Sequence, residues 1–217
     1  MKPDKELLED VIDELKWDPI LHATEIGVTV KNGIITLSGQ VNSYSKKLAA
    51  ENAVKRVKDV RGLAEEINVK LSIAGQRTDA EIAQAAVSAL KWNDSVPDDK
   101  IKVKVENGWV TLEGESEWQF EKDAAGSVVE CLTGVKGMTN LVSIKPRINI
   151  PVIRESIKRA LERSADVEAA RITIETQGNK IILKGKARSW SERNQVERTA
   201  WSAAGVMAVE DELVIAP

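Results

Sequence analysis

Apolar residues along this chain recur with two different spacings, and the spacings alternate in a fixed order. Leu7, Leu8, Val11, Ile12 and Leu15 fall on one face of a helix. The period then drops to two at Ile26, Val28 and Val30, the mark of a strand with one buried face. Asn32-Gly33 follows, the strongest short-range signal for a two-residue hairpin turn, and Ile35 and Leu37 alternate on the returning strand. Helical spacing resumes at Ala50, Ala53, Val54 and Val57, and Ile67, Val69 and Leu71 form a last strand. The order predicted is α-β-β-α-β.

The same text recurs. Asn32-Gly33-Ile34-Ile35-Thr36-Leu37-Ser38-Gly39 returns as Asn107-Gly108-Trp109-Val110-Thr111-Leu112-Glu113-Gly114. The same offset relates Leu15-Lys16-Trp17 to Leu90-Lys91-Trp92 and Val60-Arg61-Gly62 to Val135-Lys136-Gly137. A degraded third copy, Gly178-Asn179-Lys180-Ile181-Ile182-Leu183-Lys184-Gly185, follows at a slightly shorter interval and keeps Val206-Met207-Ala208 in place. In the second copy the first helix opens on Thr78-Asp79-Ala80-Glu81, a capping box, and buries Ile82, Ala86, Ala89 and Leu90. In the third it follows Pro151, tolerated in a first helical turn, with Ile153, Ile157, Ala160 and Leu161 inward. The second helices bury Ala125, Val128, Val129 and Leu132, then Val196, Ala200 and Ala203. Ile101, Val103, Val105, Val110, Leu112, Val142 and Ile144 carry the strand pattern in the second copy. Ile172, Ile174, Ile181, Leu183, Leu213 and Ile215 carry it in the third.

The fold class predicted is therefore α+β: three tandem α-β-β-α-β modules at 1–74, 75–146 and 147–217, joined near Ala74–Arg77 and Pro146–Asn149. Each is a three-stranded mixed sheet with two helices on one face and a polar opposite face. The first two strands pair antiparallel, and the helical crossover makes the last strand parallel to the second. Modules of this length are about the smallest that fold on one core.

The hairpin Asn-Gly, the apolar-x-Leu-x-Gly strand and the alanine-rich helix ending near Val-x-Gly resemble the BON domain, a family named for bacterial osmotically inducible and nodulation-associated proteins. Gly33, Leu37, Gly39, Val60 and Ile67 match its hallmark positions in the first module, and Gly108, Leu112, Gly114, Val135, Asn140 and Val142 in the second. The third keeps Leu183, Gly185, Val206 and Leu213 but turns on Gly178-Asn179 and has Ala208 for glycine. The resemblance implies binding to phospholipid or envelope surfaces and a role in osmotic stress. Relatives mostly carry a signal peptide, whereas Met1 to Trp17 alternates acids with apolar residues and lacks a secretory apolar stretch. The location expected is cytoplasmic, peripheral to a membrane.

Composition narrows the chemistry. Among 217 residues, 42% are hydrophobic and 30% charged, with one cysteine, one histidine and a net charge of −3. No window holds the roughly 18 apolar residues that cross a bilayer. A lone cysteine forms no internal disulfide, and no Cys/His cluster builds a zinc site, so no metal or cofactor is expected. One histidine, one cysteine and no nucleophile motif give no constellation for covalent catalysis, and the carboxylates sit on helix surfaces where solvated charge is ordinary. The chain is read as a non-enzyme. A pI near 5.5 argues against nucleic acid.

Candidate residues follow from position. Gly33, Gly108 and Gly178 belong to the hairpin turns, and Gly39, Gly114 and Gly185 close the second strands, where a bulge or close packing is common. His22 reads as a surface residue, and Cys131 as a partly buried, inert thiol within the second helix of module two. Six tryptophans against one tyrosine and one phenylalanine form an unusual aromatic set. Trp17 and Trp92, at equivalent helix ends, are expected to cover the edges of their cores. Trp201 is placed at the edge of its helix face. Trp109 points away from its own helices, and Trp118 and Trp190 sit where the second strand meets the second helix. Ser189-Trp190-Ser191-Glu192 is a second capping box that leaves Trp190 exposed.

The sharpest feature is in module three, where Lys180, Ile182, Lys184, Lys186 and Arg188 share the outward strand face and lead to Trp190. Module charge agrees: 11 basic and 12 acidic residues in the first, 8 and 12 in the second, 12 and 10 in the third. The reading is a non-catalytic protein that meets an anionic phospholipid surface through this strand. The alternative is a protein-interaction scaffold or chaperone-like stress protein using Trp109 and Trp118.

Overall fold

The computed structural model describes residues 2–21, 25–145, 154–164, 167–203 and 205–216. His22, Pro151, Ile153 and the linker Pro146–Asn149 lie outside them.

Module one runs α1 (Asp4–Trp17), β1 (Ile26–Lys31), β2 (Ile34–Val41), α2 (Tyr44–Arg56) and β3 (Gly62–Val69). Module two runs α3 (Asp79–Trp92), β4 (Ile101–Glu106), β5 (Trp109–Ser116), α4 (Gln119–Glu130), β6 (Gly137–Asn140) and β7 (Ser143–Ile144). Module three runs α5 (Arg154–Glu162), β8 (Ile172–Gln177), β9 (Lys180–Ala187), α6 (Trp190–Trp201) and β10 (Ala208–Ile215). The order α-β-β-α-β holds three times. In every sheet the second hairpin strand is central, and β5–β6, β5–β7 and β9–β10 pair in parallel.

By packing, the chain divides into two compact units. One comprises Met1–Gly39, Ala49–Glu66 and Ile148–Pro217, the other Gln40–Leu48 and Ile67–Arg147. In the second unit, α3 and α4 put Ile82, Ala86, Leu90, Ala125 and Val129 against Val110 and Leu112 of β5, forming a continuous core. Tyr44, at the start of α2, packs on this core, and Ser45 Oγ donates to Glu130 O at 3.2 Å. In the first unit, Ile157 and Leu161 of α5 and Val196 and Ala200 of α6 cover Ile181 and Leu183 of β9.

The last strand of module two departs from the unbroken strand expected. Asn140 Oδ1 accepts from Val142 N at 3.2 Å, and its Nδ2 donates to Lys122 O at 2.8 Å. The ladder is interrupted at this turn, between β6 and β7. In module three the equivalent Asp211 accepts from Leu213 N at 2.9 Å, and β10 remains unbroken.

The hairpin turns are clamped by a group that hydrophobic patterning did not reveal. Asp79, first residue of α3, accepts from Asn107 N and Gly108 N, both at 2.8 Å. Asp4 does the same to Asn32 N and Gly33 N, at 2.8 and 3.0 Å. The two aspartates hold equivalent places in the repeat, so the signal was present in the sequence. Module three has Ile150 at that place, and its turn is no longer Asn-Gly.

The central-strand glycines are a stricter requirement. Gly39, Gly114 and Gly185 have φ of +130°, +139° and +122°. A Cβ there would stand 2.2, 2.0 and 2.0 Å from the carbonyl oxygens of Glu25, Lys100 and Arg171. Gly178 has φ +59° and open space around it. Gly114→Ala is expected to destabilise the protein by ~3 kcal/mol or more, because backbone must move, and Gly178→Ala by only about 1 kcal/mol. Urea titrations followed by circular dichroism check this; equal losses from the two substitutions would refute the contact's importance.

Candidate functional site

The outward face of the module-three sheet carries the predicted cations, but not alone. The parallel register sets Lys180, Ile182, Lys184 and Lys186 opposite Ala208, Glu210, Glu212 and Val214 of β10. Lys180 Nζ lies 2.7 Å from Glu210, and Lys184 Nζ lies 2.8 Å from Glu175 of β8 and 4.0 Å from Glu212. The hydrogen bond that Lys184 donates to Glu175 raises the Lys184 pKa above its ordinary value against a smaller desolvation effect, helped by the charges of Glu175, Glu212 and Glu210. Three carboxylates thus interleave with three lysines, and the stripe of one sign expected from β9 alone becomes an alternating surface. Lys186 is exposed and has no carboxylate partner among the described residues; its register neighbour Val214 is exposed too. Ile182 is buried although alternation points it outward. Its neighbours in register are Glu175 and Glu210, and long paired side chains of this kind cover apolar surface with their stems.

Arg188 is tied into the fold. Glu192, 5% exposed, accepts from Glu168 N at 2.7 Å through Oε1, and from Arg188 N and Nε at 2.6 and 3.2 Å through Oε2. Ser189 Oγ caps Glu192 N at 3.1 Å, so the capping box is present on one side, while the carboxylate reaches one residue further back than the motif implies. Burial pushes the Glu192 carboxyl up, but the backbone donors of Glu168 and Arg188, with the Arg188 guanidinium, outweigh it and hold the group below its ordinary value.

The tryptophans are distributed otherwise than expected. Trp17 and Trp92 do not cover their cores: they are 84% and 86% exposed. Each lies two positions beyond the last buried residue of its helix, Leu15 or Leu90, and two helical steps turn a side chain by about 200°, onto the opposite face. Trp190 is half-buried instead of exposed. Its Nε1 is enclosed without a hydrogen-bond partner, Arg193 lies 5.2 Å from its ring, and it lines a cavity of about 250 Å³ with Val54, Val60 and Leu63. Trp201 is half-buried at the edge of the module-three core.

Trp109 points outward, as alternation implies, but lies down on the sheet. Its Nε1 donates to Thr139 Oγ1 at 2.9 Å, and its ring covers Gly137 so closely that a Cβ there would sit 2.2 Å from it. The register explains the missing glycine of module three: Trp109 pairs with Gly137, whereas Lys180 pairs with Ala208, and a lysine leaves room for a methyl group. Trp118 and Phe120 stand 39% and 57% exposed at the start of α4. Cys131 is exposed, not partly buried, because α4 ends at Glu130 and the turn directs Leu132 inward instead. Among the described residues no group of three or more His, Cys, Asp or Glu is placed to hold a metal, and no helix is long and apolar enough to cross a membrane.

Two outcomes test this geometry. A carboxylate with a depressed pKa stabilises the fold above its unfolded value of about 4.3, and that contribution disappears as pH falls through the folded value. Glu192→Gln should therefore lower stability by ~1–3 kcal/mol at neutral pH and flatten the acid limb of the stability profile between about pH 5 and 3; an unchanged limb would contradict the assignment. Gly137→Ala should lift the Trp109 indole off the sheet and red-shift its emission, a shift that disappears in the Trp109→Phe background.

The family model for the BON domain matches residues 3–70, 78–146 and 150–217. Osmotically-inducible protein Y of Escherichia coli (strain K12) is 28% identical over 129 residues, covering 58% of this chain and 64% of the relative, so the match spans just under two thirds of that protein's length. The C-terminal domain of CdsD, described as the structural protein of the Type III secretion system of Chlamydia trachomatis, covers 100% of this chain at 15% identity and a TM-score of 0.27. A second CdsD structure covers 98% at 16% identity and a TM-score of 0.25. The three family matches span nearly every residue, and the chain belongs to the BON domain family, with three tandem copies.

Proposed function

We propose that this chain is a non-catalytic, stress-related binding protein that attaches peripherally to anionic phospholipid. The stress role rests on the family and on the osmotically inducible relative. The observation that carries the binding role is the pair of exposed indoles, Trp17 and Trp92, at repeat-equivalent helix ends and each preceded by a lysine. An exposed indole forgoes the burial of a large apolar area, and tryptophan beside lysine suits the boundary between headgroups and acyl chains. Lys186 with Val214 offers the same combination on the module-three sheet.

Lys180, Lys184 and Arg188 belong to this reading with a smaller role, since each already faces a carboxylate. Exposed pairs of the Lys180 and Lys184 kind are worth only about 0–1 kcal/mol, so a phosphate can exchange for the partner. Trp190, with its indole nitrogen enclosed, is not among the contact residues we assign. A second reading, a protein-interaction scaffold, is supported by Trp118 and Phe120, exposed together at the start of α4. Trp109, held by Thr139, contributes a fixed aromatic surface to it.

Cosedimentation with phosphatidylglycerol-containing vesicles at low salt should show binding that weakens with ionic strength. Trp92→Ala and Lys186→Glu should each reduce it by roughly three- to tenfold, on the order of 1 kcal/mol per contact. No binding at low salt would overturn the lipid reading and leave the scaffold, whose partner capture fails for Trp118→Ala.

A further inference from the structure

Within the first unit, two adjoining cavities of about 280 and 360 Å³ open between the C-terminal half of α2 and the N-terminal half of α6, sharing Arg56, Ser191 and Gln195 in their walls. Lys55 and Arg198 line the first, and Lys58 and Arg188 the second. We propose that this cleft binds a phosphate group, carried by a small soluble phosphomonoester or by a lipid headgroup. The proposal does not rest on the exposed indoles or on β9.

The charge there is not required by the fold. The residues equivalent to Lys55, Arg56 and Lys58 are Glu130, Cys131 and Thr133 in module two. Those equivalent to Arg188 and Arg198 are Glu117 and Ser127 in module two, and Asn42 and Asn52 in module one. Basic residues are thus concentrated on α2, α6 and the residues flanking them, and none of the five recurs at the equivalent places of module two. Some of this charge is already balanced: Lys55 pairs with Glu51 at 2.7 Å, and Arg56 with Glu14 at 2.7 Å and Asp18 at 3.7 Å. Lys58 and Arg198 are exposed and have no carboxylate partner among the described residues.

Glu192 in the walls accepts from Glu168 N and is paired with Arg188 at 3.2 Å, so the two charges offset each other and Lys58 and Arg198 are left to meet an anion. Like charges gathered around one cavity repel, and an anion of about two charges relieves that. Guanidinium and ammonium groups beside Ser191, Asn194 and Gln195 supply charged and neutral donors together, a set matched to the several acceptor oxygens of phosphate. The cavity volumes are at the small end for ligand sites, enough for a phosphorylated headgroup.

The test uses the full chain. Calorimetric titration with inorganic phosphate and with glycerol 3-phosphate should show saturable binding that weakens with salt. The double variant Lys58→Glu/Arg198→Glu should weaken it by about tenfold or more, and Lys186→Glu and Trp92→Ala should not. Neither Lys58 nor Arg198 makes an ion pair among the described residues, so an unchanged urea midpoint is expected and checks folding. Competition between glycerol 3-phosphate and phosphatidylglycerol vesicles, lost in the double variant, identifies the headgroup as the source. Soluble binding without that competition identifies a free phosphomonoester. No phosphate binding, or binding indifferent to the double charge reversal, overturns the proposal. Loss of vesicle binding in Trp92→Ala and Lys186→Glu alone bears on the lipid reading and not on the cleft.

Discussion

Each sheet turns on a backbone contact made by a missing side chain. The carbonyl that precedes the first strand approaches the glycine of the central strand to within the space a Cβ would fill, and does so in all three modules. The outer strand can pair along the central one only with that space left free, and the pleat of the central strand then points every second residue to the helices. Ile35 with Leu37, Val110 with Leu112, and Ile181 with Leu183 are completely buried as a consequence. With no Cβ, glycine adopts the positive φ the crossing demands at little steric penalty. Modules this small have no spare core with which to offset strain elsewhere.

The same parallel pairing that completes the core decides the electrostatics of the opposite face. β9 by itself carries cations at alternate positions, and β10 and β8 return carboxylates to three of the places beside them. Exposed pairs add little stability. Their importance is to the potential of the surface, which alternates in sign over a few ångströms instead of presenting one field. Net positive charge gathers instead where two helices face each other, α2 and α6, and there the cations come from the first and third modules, at opposite ends of the chain.

Tryptophan illustrates how far one residue type diverges under a common repeat. A helical position two steps from the buried stripe exposes Trp17 and Trp92. A strand position opposite a glycine lays Trp109 flat. A helix start beside Val54, Val60 and Leu63 encloses Trp190. The hydrophobicity of the indole is the same in each case; the burial differs because the direction of the Cα–Cβ bond and the neighbours across it differ.

Apart from the break between β6 and β7 and the burial of Ile182, periodicity and the repeat were sufficient for the elements, their order, the buried stripes and the parallel return of the third strand, because these depend on local spacing and on the handedness of chain crossings. The Asp4 and Asp79 clamps were legible as well, through their equivalent places in the repeat, once a recurrence of polar residues was sought beside the apolar one. What alternation within a single strand could not supply was the partner across the sheet: Glu175, Glu210 and Glu212 beside the lysines, Gly137 beneath Trp109, Glu168 against Glu192. Those pairings cross from one element to another, and strand register or helix docking sets them. Sequence by itself determined what each module is built from and, through helical phase, that Trp17 and Trp92 meet solvent; the tertiary structure decided which charges stand alone, that Trp109 lies flat and that Trp190 is enclosed, because these depend on what packing brings across from another element.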